Sequence, residues 1–156
     1  MKQTKISYWL KGMTVVLGIM GLLAFSGLTW YAFTMKKEMP ESAQWQFIFF
    51  TWYTAVLCYL ILFQFWKVCT EIGRDNSFSM ENARAFHIMG LCAIAEITGE
   101  AGRIIWLGVT GLAEPAKVLA VVVKMILAAM FLLLCEALSR LIQYAYDVKQ
   151  ENDLTI

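Results

Sequence analysis

The chain alternates long apolar runs with short polar breaks. One run without a charge covers Gly12 to Met35, and a second covers Ser42 to Trp66. A third starts near Phe86 and ends near Thr110, and a fourth starts near Ala116 and continues without a breaker to about Lys149. Pro40 and its polar neighbours separate the first two, and the tight turn at Gly111, Glu114 and Pro115 separates the last two. Each run meets the roughly 20 residues a helix needs to cross a bilayer. The pattern predicts an all-α integral membrane protein, a single four-helix domain over residues 1–156. Its four transmembrane helices are expected at about 12–35, 44–66, 86–110 and 116–140, with a loop at 67–85 and a tail at 141–156.

The first run follows Lys2, Lys5 and Lys11, as a signal peptide would. It is too long for a signal core, however, and it ends on the bulky Trp30, Tyr31 and Phe33 instead of a small-residue cleavage site. It reads as a retained helix, with Gly18, Gly21 and Gly27 permitting close helix contact. Trp45 and Trp66 lie near the two ends of the second run, where aromatic belts form.

Composition agrees with this class. Hydrophobic residues make up 60% and charged residues 16%, against about 25% charged in a soluble domain. The net charge of +1 gives no surface for direct nucleic-acid binding. Cys58, Cys69, Cys92 and Cys135 are scattered singly, and no metal or cofactor site is expected from their spacing.

Charge also orients the spans. Eight basic residues (Lys2, Lys5, Lys11, Lys67, Arg74, Arg84, Arg140 and Lys149) fall at the N-terminus, the 67–85 loop and the tail. The opposite loops hold three: Lys36, Lys37 and Lys117. Positive residues favour the cytoplasm. Both termini and the central loop are therefore expected to be cytoplasmic, with little protein outside.

The third run departs from the pattern. It reads AEITGEAGR at 95–103, with Glu96, Glu100 and Arg103 on one helix face. Each mid-membrane charge costs about 2.5–3.5 kcal/mol on insertion scales, whereas each Leu, Ile, Phe or Val returns about 0.3–0.6. This run is not expected to be stable alone in lipid. The fourth run supplies a partner: antiparallel pairing through the short turn puts Lys124 level with Gly102 and Arg103, one turn or less from Glu100. Three readings stand for this cluster: an ion-pair lock between helices, a sensing, gating or proton-handling site, and pairing at the surface of an oligomer. Ala95 and Gly99 repeat a small-xxx-small spacing that admits a neighbouring helix. His87 and Glu136 reach similar depths near the cytoplasmic ends and form a second candidate pair.

In the central loop, Gly73, Asp75, Asn76 and Ser77 are turn formers, and Ser79 is a good N-cap with Glu81 in the first turn. A helix is expected to begin near Met80, beside an exposed Phe78. Leu138, Leu141, Ile142, Ala145 and Tyr146 carry an apolar stripe beyond the membrane, and such a stripe needs a partner.

These two segments resemble a known family. Gly73, Phe78, Ser79, Glu81 and Asn82, followed by a helix, and the ending Glu151, Asn152, Asp153, Leu154, Thr155 and Ile156, are similar to motifs of small bacterial four-span membrane proteins classed as domain of unknown function 2975. The resemblance covers the whole chain in span number and loop placement. It implies no established activity. It implies a neighbour, since members are often encoded beside a small helix-turn-helix regulator. On that basis Phe78, Ser79, Glu81, Asn82, Asp153, Leu154 and Ile156 are the expected docking residues of a membrane-embedded regulatory or sensor protein. The alternative is a small oligomeric transporter, channel or immunity-type protein that uses Glu96, Glu100, Arg103 and Lys124. With one His and no HExxH or Ser/His/Asp set, an enzyme is not expected.

Overall fold

The computed structural model describes residues 2–34 and 40–154, and the side chains from Thr4 onward within them. Four α-helices follow one another: α1 Lys2–Thr34, α2 Glu41–Gly73, α3 Met80–Val109 and α4 Pro115–Leu154. The all-α expectation holds. Each helix exceeds the span read from its apolar run, because the polar flanks are helical too. Within the 67–85 segment only 74–79 is not helical, and the tail is helical to Leu154. At 1.5 Å per residue, α2 is about 50 Å long and α4 about 60 Å, against about 30 Å of hydrocarbon. Both project well past a bilayer.

The helix ends obey local rules. The Ser79 side chain accepts a hydrogen bond from Asn82 N at 3.2 Å, capping α3 as its sequence predicts. Pro115 opens α4, where its missing N–H would be unpaired anyway. The turn before it needs a left-handed residue and uses Gly111, with φ of +69°.

Each helix packs chiefly on its neighbour in sequence: α1 on α2, α2 on α3, and α3 on α4. The helices alternate in direction. Both described chain ends and the 74–79 turn therefore share one end of the molecule, and the α3–α4 turn lies at the other. Side chains pin each pair by bonding across to a backbone carbonyl. Ser7 Oγ donates to Cys69 O at 2.5 Å, Tyr59 OH to Gly18 O at 2.7 Å and Gln44 Nε2 to Ala32 O at 3.2 Å, holding α1 on α2 at three levels. Gly18 and Gly21 face Tyr59, whereas nothing lies near Gly27. Ser139 Oγ donates to Ala83 O at 2.8 Å between α4 and α3.

The outer surface is apolar. Leu23, Ile105, Val109 and Leu133 are each more than two-thirds exposed, within a far larger set of exposed Leu, Ile, Val and Phe. Soluble monomers rarely present patches of that extent. Three helices (α1 from Thr4, α2 and α4) are long and apolar enough to cross a membrane. α3 falls short of that composition, and Glu96, Glu100 and Arg103 are the reason.

Candidate functional site

α3 turns Glu96 and Glu100 inward, with relative exposures of 8% and 0%. α4 brings Lys124 to both. Its Nζ lies 2.5 Å from Glu100 Oε1 and 2.7 Å from Glu96 Oε1. Arg103 Nη1 lies 3.5 Å from Glu100 Oε2, and its guanidinium stands 5.4 Å over the Phe50 ring. All four residues singled out by sequence meet, and Lys124 reaches Glu100 as the antiparallel register predicts.

α2 contributes more than its uncharged sequence implied. Thr54 Oγ1 accepts a hydrogen bond from Lys124 Nζ at 2.6 Å and donates one to Glu96 Oε1 at 2.9 Å. Lys124 Nζ thus donates hydrogen bonds to Thr54 and Glu100 and lies in ion-pair contact with Glu96. The adjacent Tyr53 donates from its hydroxyl to Ala95 O at 2.7 Å. A Cβ at Gly99 would collide with the Tyr53 ring. The small residues of α3 therefore admit an aromatic ring, where the spacing had suggested a helix backbone. Nothing lies close to Gly102.

Two acids and two bases give a neutral cluster. Such a buried set is held together mainly by the cost of leaving one member unpaired. Among the described residues, no group of three metal-ligating side chains occurs.

At the other end of the α3–α4 pair, His87 Nδ1 and Glu136 Oε2 lie 3.4 Å apart, on the expected residues. Glu136 also accepts from Arg140 Nε at 2.9 Å, one turn along α4. All three groups are well exposed, so the arrangement is a surface ion-pair network of small energy.

The 74–79 turn is tightly built. Buried Glu71 accepts from Arg74 Nη1 and from Asn76 Nδ2, both at 3.0 Å. Asn82 Nδ2 donates to Ser77 O at 2.9 Å and Asn76 O at 3.4 Å. Asp75 takes a left-handed φ of 59°. Ser79 and Asn82 are buried, at 5% and 1%, and most of their polar atoms serve this turn. Phe78, 55% exposed, and Glu81 remain on the surface. Asp153 and Leu154 are exposed at the end of α4, while Ile156, like Lys36 and Lys37, lies outside the described residues.

Beside the turn, α2, α3 and α4 enclose a cleft of about 660 Å3. Lys67, Glu71, Glu81, Arg84 and His87 give it charges of both signs, and Asn82 lines its wall. Asn82 Oδ1 has no hydrogen-bond partner among the described residues.

Comparison with known proteins places the chain. No solved structure matches it. It is 29% identical over 105 residues to the uncharacterized membrane protein YoaS of Bacillus subtilis (strain 168). That match covers 66% of each protein, just under two thirds of the relative's length. The family described as "Protein of unknown function (DUF2975)" matches residues 29–156, which include both the charge cluster and the 74–79 turn. The chain is thus a membrane protein of that uncharacterised family, and belongs to it over most of its length.

Proposed function

We propose that this protein is a four-span regulatory protein of the bacterial cell membrane, and not an enzyme, which holds a cytoplasmic partner at its α2–α3 turn end. In this reading all four helices cross the bilayer, and both termini lie in the cytoplasm. α3 crosses because Lys124 and Thr54 neutralise or bond its acids. The basic residues Lys5, Lys11, Lys67, Arg84 and Arg140 cluster at the turn end, in keeping with the positive-inside tendency.

The observation that carries the reading is the cleft of about 660 Å3 beside the 74–79 turn. Its charges are mixed, and exposed Phe78 lies next to the turn. α4 runs on past this cleft with Leu141, Tyr144 and Leu154 more than 60% exposed. A polar cleft flanked by apolar anchors is what a small protein partner requires. The partner implied by the family resemblance is a small helix-turn-helix regulator.

The test is affinity purification of the tagged protein from its host in mild detergent, with mass spectrometry of what accompanies it. A small helix-turn-helix protein is expected, lost on deletion of residues 151–156 and on Phe78→Ala while the protein still inserts. A partner retained by both variants would sink the docking assignment. Recovery of the protein alone as a defined oligomer would instead favour transport, to be read as ion flux in liposomes altered by Glu96→Gln.

A further inference from the structure

The α3–α4 turn end holds a separate cavity of about 280 Å3 between α2, α3 and α4. Its wall carries the cations Arg103, Lys117 and Lys124 and the amide of Gln46. Lys117, Val121 and Lys124 lie along one face of α4, so the two ammonium groups stand two turns apart. The remaining wall is apolar, with Phe47, Leu107 and Leu112 on it. Among the described residues, no carboxylate lines the cavity. Glu96, Glu100 and Glu114, which pair with these cations, all lie outside the wall.

Two donors on this wall are unsatisfied. Gln46 is 9% exposed, and its Nε2 has no hydrogen-bond partner among the described residues. Arg103 Nε is buried and likewise has none there. Buried donors without an acceptor are rare and costly, and each one calls for an explanation. A cavity walled by cations, with unpaired donors buried on its lining residues and no described acid on the wall, lacks an anion's oxygens. Its volume suits a small molecule, near the lower end of ligand pockets at roughly 300 Å3. An inorganic anion would leave Phe47, Leu107 and Leu112 without apolar contact. The guanidinium of Arg103 fits a planar carboxylate.

We propose that this cavity binds a small amphiphilic anion, its acidic head held by Arg103, Lys124 and Gln46 and its apolar body packed against Phe47, Leu107 and Val121. The anion comes either from solution, as a short carboxylic acid, or from the bilayer, as an acidic lipid. This goes beyond the docking reading. If that reading holds, the anion is the signal's chemical class, acting on the lock that joins α3 to α4.

The test uses the full-length protein in phosphatidylcholine nanodiscs. Hexanoate is titrated by calorimetry, with hexanol as its uncharged counterpart. Saturable binding of hexanoate and none of hexanol is expected. Gln46→Leu should raise the Kd about tenfold, the loss expected for one hydrogen bond to a charged group. Discs containing phosphatidylglycerol then separate the two sources. A hexanoate Kd that rises with phosphatidylglycerol content identifies a lipid head as the occupant, and an unchanged Kd identifies a soluble acid. No saturable hexanoate binding, equal binding of hexanol, or a Kd unmoved by Gln46→Leu would overturn the proposal. The discs contain no cytoplasmic partner, so failure here leaves the docking reading intact, and loss of that partner leaves this site intact.

Discussion

At the scale of single residues, Lys124 holds the most concentrated interaction in the molecule. It neutralises two buried carboxylates while Arg103 balances the remaining charge. Lys124→Met leaves Glu96 and Glu100 with Arg103, which contacts only Glu100, as the one remaining cation. That change is expected to cost about 3–5 kcal/mol, the range for an uncompensated buried charge. Adding Glu96→Gln leaves Glu100 with Arg103 and a neutral cluster, and should recover at least half of the loss. Thermal denaturation in detergent reads both steps, and a double variant as unstable as the single one would show that charge balance is not what holds the site. Thr54 is the residue that sequence could not assign. Thr14, Thr29, Thr51, Thr70, Thr98 and Thr110 all donate back to the carbonyl four residues earlier, the ordinary habit of a helical threonine. Thr54 instead spends its hydroxyl on Glu96 and Lys124. Only the approach of α3 and α4 makes that choice, and nothing in the local pattern of α2 records it.

At the scale of helices, the elements themselves were legible and their contacts only partly so. Apolar runs gave four helices, Ser79 gave the start of α3, and the short turn at Gly111 gave the register that joins Lys124 to Glu100. The ends of α2 and α4 were less legible, because hydropathy reports where lipid stops and a helix does not stop there. Polar segments such as 67–73 continue the same backbone ladder. Gly99 was read as a meeting point for helix backbones, yet it receives the Tyr53 ring from α2. Gly99→Val is therefore expected to force α2 from α3 and to lower the melting temperature. Tyr53→Ala in the same chain should restore much of it, because the cavity it leaves accepts the new methyl groups. Equal instability with and without Tyr53 would place the clash elsewhere. Glu71 belongs to this scale as well. An acid near the end of α2 reads as a solvated charge, but its two carboxylate oxygens close the turn through Arg74 and Asn76.

At the scale of the whole molecule, the proposed topology makes a direct prediction. A cysteine-free chain carrying a single new cysteine at Asn76 or Gln150 should react with a membrane-impermeant thiol reagent only after the cytoplasmic face is opened. One at Ala113 should react in intact cells. Labelling of all three sites from the same side would refute the four-span arrangement. The row of helices, each leaning chiefly on its sequence neighbour, also has a consequence for biosynthesis. α3 leaves the ribosome before α4, with two acids and, in Arg103, only one of their two counter-charges. Lys124 follows Glu100 by 24 residues. At about 5–20 residues per second, the nascent chain waits roughly 1–5 s between making the problem and making its solution. For that interval α3 has no stable place in lipid, and the insertion machinery must shelter it until α4 arrives. In the proposed four-span arrangement, membrane entry is thus a timed, paired event, with the last two helices released into the bilayer together.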